Sequence, residues 1–287
     1  MTVTGLTTSV SEGTAPTAGP RERYPGLPVV RTADLDEALD RIGRVFLPHR
    51  IDVIDRAGRL DAQLNALQLG SVTAGYLRYG PEVRMVTAEA SHYHVNIPLA
   101  GTVESRCGRR EPVSSTSQRP AVFMPGAPAD IRWGAGSAQL CLMLSRRAVD
   151  QELEKLLGHP LTRPLEFAVA MDLTARGAAA WLTTLDLLEQ EAGRADGMLR
   201  FPLPAAHLES MIIHGLLLAH PHNHSEELLR RAAGPRPRTV RRAVELLEER
   251  PDHPWTVAEL AAAYKQRFGV YPSGQRRGKQ TNESVGI

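Results

Sequence analysis

His92 and His94 stand two residues apart, and on an extended strand that spacing puts both imidazoles on one face. A metal held there needs a shell of three or four ligands. Glu104 falls beyond a turn at Gly101, and no histidine occurs between His94 and His159. The pair therefore reads as a polar strand face or a pocket lining, and no metal site is expected. His220, His222 and His224 form a second cluster at the end of a helical stretch, where exposed capping and loop roles are expected. Cys107 lies beside Arg106, Arg109 and Arg110, surroundings that lower a thiol pKa, although a small side chain at a strand end is the plainer reading. The chain has no G-x-S-x-G elbow, no Gly-rich phosphate loop and no H-E-x-x-H. No catalytic residue and no cofactor is expected, and the protein is not read as an enzyme.

Two other groups suit binding better than bond-breaking. Tyr76, Arg84, His92, His94, Arg106 and Trp133 are candidates for a small-molecule pocket: the arginines can hold a carboxylate through paired N–H donors and the aromatics can stack an organic body. Arg238, Arg241, Arg242, Lys265, Gln266 and Arg267 are candidates for DNA contact. Charge is distributed to suit that division. From Arg230 to Ile287 there are twelve Lys or Arg against six Asp or Glu, a balance of +6 in a chain of net +2, which leaves −4 before it. A basic end on a mildly acidic body fits a polyanionic partner at that end.

The elements that must position these residues follow from hydrophobic period. A leader over residues 1–28, rich in Thr, Ser, Gly and Pro, is expected to be disordered. Leu35, Ala38, Leu39, Ile42 and Phe46 then fall at helical spacing, ending at Pro48. Between Arg50 and Ser145 the period is two. Tyr93, Val95, Ile97 and Leu99 alternate with His92, His94, Asn96 and Pro98, a half-buried strand closed by Gly101. Similar runs at 67–77, 83–87, 102–107, 121–124, 130–133 and 139–144, punctuated by Gly and Pro turns, argue for a β-sandwich or barrel over residues 29–145, whose interior is the natural pocket. Helical spacing returns at 147–157, 175–192 and 203–220, within a covering or dimerising region placed at 146–231. The two cysteines lack metal spacing, Met1 to Pro20 has no apolar core of a secretory signal and no run is long enough to span a membrane, so a soluble cytoplasmic protein is expected. A linker over Ala232 to Pro237 joins the C-terminal part.

In that part, Val240, Ala243, Val244 and Leu247 form one apolar helical face. A break at Pro251 and Pro254 follows, and Thr256 with Glu259 makes a capping box for a new helix. Val257, Leu260, Ala261, Tyr264 and Phe268 share one stripe, so a single helix from about Val257 to Phe268 is expected, with Gly269 beyond its end. The run RTVRRAVELLEERPDHPWTVAELAAA resembles the start of the DNA-binding domain of the AraC/XylS family of bacterial transcription regulators, and AAAYKQRFGVYPSGQRR resembles its end. The resemblance implies two helix-turn-helix units joined by a long helix. The first recognition helix, the joining helix and the opening of the second unit have no counterpart here, so the domain at 236–277 is an internally shortened version, followed by a tail at 278–287. Lys265 and Arg267 match the end of a recognition helix, where phosphate contact is more usual than base reading. VNIPLAGTVESRCGRREPVSSTSQRPAVFMPGAPADIRW is similar to the cupin-like sensor domain of many AraC-type regulators. The resemblance implies a small-molecule effector, DNA as partner, and a homodimer paired through the helices after the barrel, where Leu185 and Leu216 are expected to face the partner.

The fold class is thus α+β: a cupin-like β-barrel or sandwich followed by helices, then a small all-α C-terminal domain. The function implied by the resemblance is that of an AraC-type regulator, with operator recognition expected to be impaired and DNA binding expected to be weak or non-specific. The alternatives are a ligand-binding, dimerising protein that no longer reads an operator and, further off, a cupin-type enzyme.

Overall fold

The structure, a computed structural model, describes residues 21–55, 58–108, 111–232, 238–251 and 253–269. The chain divides into two compact units, one ending at Glu226 and the other beginning at Glu227.

The first unit holds eleven strands: β1 (Pro28–Thr32), β2 (His49–Val53), β3 (Ala62–Leu69), β4 (Val72–Arg78), β5 (Val83–Thr87), β6 (His92–Ala100), β7 (Val103–Cys107), β8 (Val113–Ser115), β9 (Ala121–Phe123), β10 (Ala129–Trp133) and β11 (Ala138–Ser145). Its helices are α1 (Leu35–Val45), α2 (Arg146–Leu157), α3 (Arg176–Ala192) and α4 (Pro202–Ala219). The strands form two antiparallel sheets, a six-stranded one ordered β1-β3-β4-β11-β6-β9 and a five-stranded one ordered β2-β5-β10-β7-β8. The β-sandwich expected from the alternating pattern is present, as the resemblance to a cupin-like domain also implied. α1 begins at Asp34, whose carboxylate accepts from the Glu37 N–H, and it adds buried Ala38 and Ile42 to the core shared by the two sheets.

Strand parity decides which side chains enter that core. In β5, Val83 and Met85 point inward and Arg84 outward; in β10, Ala129, Ile131 and Trp133 point inward and Asp130 and Arg132 outward. In the larger sheet, register pairs Cys141 with Asn96 and Met143 with His94, so His94 and Asn96 share the interior face of Cys141. Tyr93, Val95, Leu140 and Leu142 are buried on the opposite face. β6 is therefore buried on both faces, not half-buried. Tyr93 donates its hydroxyl to the Leu165 carbonyl at 3.2 Å and meets the Phe167 ring edge-on. The polar residues of the alternation, not the apolar ones, face the barrel interior.

Other expectations shift on contact with the structure. The run at 67–77 is two strands, turned at Gly70 and Ser71, with Gly70 at φ 56°. Glu209 of α4 accepts from the Ser71 N–H at 2.9 Å and from its hydroxyl at 2.5 Å. A Cβ on Gly70 would lie 2.0 Å from the Glu209 carboxylate. Gly70→Ala is expected to lower stability by about 1–2 kcal/mol, from a strained left-handed backbone and a displaced Glu209, measurable by denaturant titration.

The leader is ordered in its last part. Glu22 accepts from the Gln63 and Asn65 carboxamides, and Arg23 pairs with Glu189 at 2.6 Å and Asp186 at 2.8 Å. Tyr24 is buried. Those side chains give residues 21–27 enough contact to offset chain entropy despite their loop-like composition.

α3 and α4 pack closely at Gly215, where a Cβ would meet the Trp181 ring at 2.5 Å; the Trp181 indole N–H donates to the Ile212 carbonyl at 3.0 Å. Leu185 and Leu216 are within this core, not on a free face. Exposed apolar side chains on α4 are Leu203, Met211 and Leu218. His220, His222 and His224 are buried, not exposed. His220 Nε2 donates to the Ala168 carbonyl at 2.7 Å, His222 Nε2 to that of Leu217 at 2.9 Å and His224 Nε2 to that of Arg163 at 3.2 Å. His222 braces the end of α4 itself, while His220 and His224 fasten the 163–173 segment to it. Spacing alone does not reveal this, because the segment they bind lies some fifty residues earlier.

The second unit contains α5 (Ser225–Ala232, which starts in the first unit), α6 (Arg238–Glu249) and α7 (Val257–Phe268). α7 is one helix with no internal turn. Its capping box joins Thr256 and Glu259, and Gly269 follows it at φ 77°. Tyr264 is fully buried and meets Phe268 at 4.9 Å between ring centroids. Val257 does not join the stripe: it is 88 % exposed. The proposed linker falls mostly on residues 233–237, outside the described residues, as do the tail at 278–287 and the leader's first twenty residues.

Candidate functional site

Between the sheets, under α1, the sandwich holds a partly open cavity of about 60 Å³. Ile42, Phe46 and Leu47 come from α1 and the segment after it; Met85, Phe123, Ile131 and Trp133 bring the apolar wall from both sheets. His49, Thr87, His94, Asn96 and Cys141 supply polar atoms. His49 Nδ1 donates to the Leu47 carbonyl at 2.8 Å, which leaves Nε2 to accept from the Tyr79 hydroxyl at 3.2 Å. Burial holds the His49 pKa below the ordinary imidazole value. It pushes that of His94 down to about 4, helped by neighbouring His92, so His94 is neutral at pH 7. Burial also raises the Cys141 thiol to about 12. His94 Nε2 and the Trp133 indole N–H are buried without a hydrogen-bond partner. So are both polar atoms of the Gln139 carboxamide, which register places opposite Leu77 on the interior face.

Of the six pocket candidates, the structure brings only His94 and Trp133 into this cavity. Tyr76 pairs with Leu140 across the outer face of the larger sheet, where it is buried. Arg84 and Arg106 are on the outside of the smaller sheet; Arg84 holds Asp130 through two bonds of 2.9 and 2.7 Å, which lowers the Asp130 carboxyl pKa. Neither arginine reaches the interior, because each alternates with inward residues of its own strand. His92 is half-buried at the start of β6, its ring 2.8 Å from the Ser91 hydroxyl, in a shallow hollow with Arg146 and Asp150. Asn96 was legible as the next residue along the His94 face. His49 had no such signal, since β2 follows Pro48 with a mixed pattern, HRIDV.

Among the DNA candidates, Arg238, Arg241 and Arg242 lie on α6 and Lys265, Gln266 and Arg267 at the end of α7. Lys265, Gln266 and Arg267 are exposed. Arg267 pairs across to Glu249 of α6 at 2.8 Å, so its charge is partly neutralised within the unit. Arg250 covers the Trp255 ring at 5.0 Å, bracing the connection between the two helices.

The cavity lies inside a two-sheet cupin-like sandwich, capped by one helix and backed by others. The family model described as the AraC-binding-like domain matches residues 38–218. The chain belongs to this family, with the cupin-like domain of AraC-type transcriptional regulators. A "probable thc operon regulatory protein" of Rhodococcus erythropolis is 29 % identical over 244 residues, 84 % of this chain and 73 % of that protein. Among solved structures, the AraC-like transcriptional activator CuxR matches with 11 % identity and a TM-score of 0.49 over 85 % of this chain and 84 % of its own. The cupin domain of Cnp3 from Schizosaccharomyces pombe matches with 12 % identity and a TM-score of 0.27, over 31 % of this chain and 65 % of its own. No helix among the described residues is long and apolar enough to cross a membrane.

Proposed function

We propose that the chain is a cytoplasmic, effector-responsive regulator whose barrel cavity receives a small molecule and whose C-terminal unit binds DNA mainly through charge. The observation that carries this reading is the cavity itself, which lies within the family-matched segment and holds buried polar atoms that await partners. A buried donor or acceptor without a partner costs about 1–3 kcal/mol, and a bound molecule offsets that cost. Pairing of two copies through the outer row of α4 is part of the proposal. That helix is apolar almost all round, which is typical of a helix with cover on more than one side.

The DNA side rests on α7. A helix-turn-helix reads bases with a second helix braced across a turn by the first. α7 runs unbroken from Thr256 to Gly269, so this unit offers basic side chains without that bracing. Charge alone supports sequence-independent binding with a Kd of about 10⁻⁴–10⁻⁶ M at physiological salt. Specific regulators gain a further ~4–10 kcal/mol. The test is competition between a fragment from the chain's own promoter region and scrambled duplex of equal length at physiological salt. Equal competition is expected, with Arg241→Ala and Lys265→Ala each weakening both duplexes alike and lowering the salt slope by about one. A promoter preference of a hundredfold or more overturns the charge-only reading. The same unbroken helix favours the second reading, in which the chain binds its effector and dimerises without reading an operator.

A further inference from the structure

We infer that the molecule received by the barrel cavity is small and uncharged, with a short apolar body and a neutral hydrogen-bonding group, and that carboxylates and ammonium ions are excluded. This rests on the cavity being the effector site. The lining residues among those described include no Asp, Glu, Lys or Arg. The arginines of the barrel stand outside it: Arg84 is engaged by Asp130, and Arg132 is engaged by Glu82. Two imidazoles are the remaining candidates for charge. His49 already spends both ring nitrogens on Leu47 and Tyr79, and burial holds its pKa below the ordinary imidazole value. His94 is buried and would have to gain a proton against its lowered pKa to meet an anion. A charged group moved from water into such a space meets no opposite charge and loses its hydration.

The same lining says what the cavity accepts. Neutral imidazole offers one donor and one acceptor, and His94 Nε2 has no partner. The Trp133 indole adds a donor, and Asn96 on the His94 face adds a carboxamide. A neutral amide or alcohol satisfies such groups without bringing charge. Ile42, Phe46, Met85, Phe123 and Ile131 supply the apolar contact. At about 60 Å³ the space suits a body of a few heavy atoms, since an apolar protein cavity of roughly 150 Å³ takes benzene.

Three near-isosteric probes of four heavy atoms separate the possibilities: acetamide, acetate and isopropylammonium, each titrated into the full chain at pH 7 and followed by Trp fluorescence and ligand-observed NMR. Acetamide is expected to bind at least tenfold more tightly than either ion, and Asn96→Leu and His94→Leu are each expected to reduce that preference. Acetate or isopropylammonium binding as tightly as the amide overturns the uncharged-ligand inference and leaves the cavity as the effector site. No binding by any of the three, with Cys141→Leu also leaving every signal unchanged, overturns the inference and the cavity reading together. If Cys141→Leu does not fold, Ala129→Val serves as the filling variant.

Discussion

Leu216→Asp is expected to abolish cooperative folding, whereas Leu218→Asp, two residues on, leaves the fold intact and moves the protein toward monomer. Leu216 is 0 % exposed and packs in the core between α3, α4 and the larger sheet; Leu218 is 55 % exposed on the same helix. A carboxylate at Leu216 either ionises in an apolar space without a partner or stays protonated, and large apolar losses follow in both cases. The cost exceeds about 4 kcal/mol, a large fraction of the stability of an ordinary domain. Leu218, Met211 and Leu203 lie along the outer row of α4, so a charge there touches solvent in a single chain and would meet a partner only in the proposed dimer. Circular dichroism melts separate the two variants, and sedimentation measures the second effect. A folded Leu216→Asp contradicts the packing described here. A Leu218→Asp variant that sediments like the wild type removes α4 from the interface.

Leu216 also shows where the sequence misleads. Its heptad-like spacing with Ile212 and Ala219 marks an apolar stripe, and a stripe can cover its own domain or another chain equally well. α4 has apolar residues on nearly every side, so periodicity cannot tell its inner row from its outer one. β6 poses the same problem in a sheet. Its alternation was plain, but alternation says only that two faces differ. Here both faces are buried, and the polar one, with His94 and Asn96, lines the cavity while Tyr93 and Val95 are buried on the opposite face. Arg84 and Arg106 are a different kind of miss. Val83 and Met85 flank Arg84, and Ser105 and Cys107 flank Arg106, so strand parity already placed both arginines outside. Guanidinium chemistry argues for a pocket role at both positions, and the pattern around them argues against it. α7 was legible because its signals are local: a capping box at one end, a glycine at the other and an apolar stripe from Leu260 to Phe268. His49, His220 and His224 were not, because Tyr79, Ala168 and Arg163 are brought close to them only by the fold.

Acidification from pH 7 to pH 4 is expected to remove about 3 kcal/mol of stability through His94 alone. Its folded pKa of about 4 lies below the ordinary value of ~6.5 that the unfolded chain recovers. The unfolded state therefore binds the proton first, and stability rises with pH across the interval. The contribution is fully present above ~6.5, declines as the pH drops and is exhausted near the folded pKa. At pH 5 the loss is already about 2 kcal/mol. His222, also pushed to about 4 by burial, acts in the same direction. His94→Leu isolates the first term, because leucine fills the site without titrating. Wild type should lose stability relative to His94→Leu by about 2 kcal/mol between pH 7 and 5, in urea titrations at each pH. A constant difference between the two proteins over that range means that His94 is protonated or solvated in the folded state, and that the barrel interior is wetter than its lining implies. A neutral amide in the cavity should reduce the acid lability, since it binds the folded protein and leaves the unfolded chain untouched. The binding preference and the pH dependence thus report on the same imidazole, and both depend on its staying uncharged.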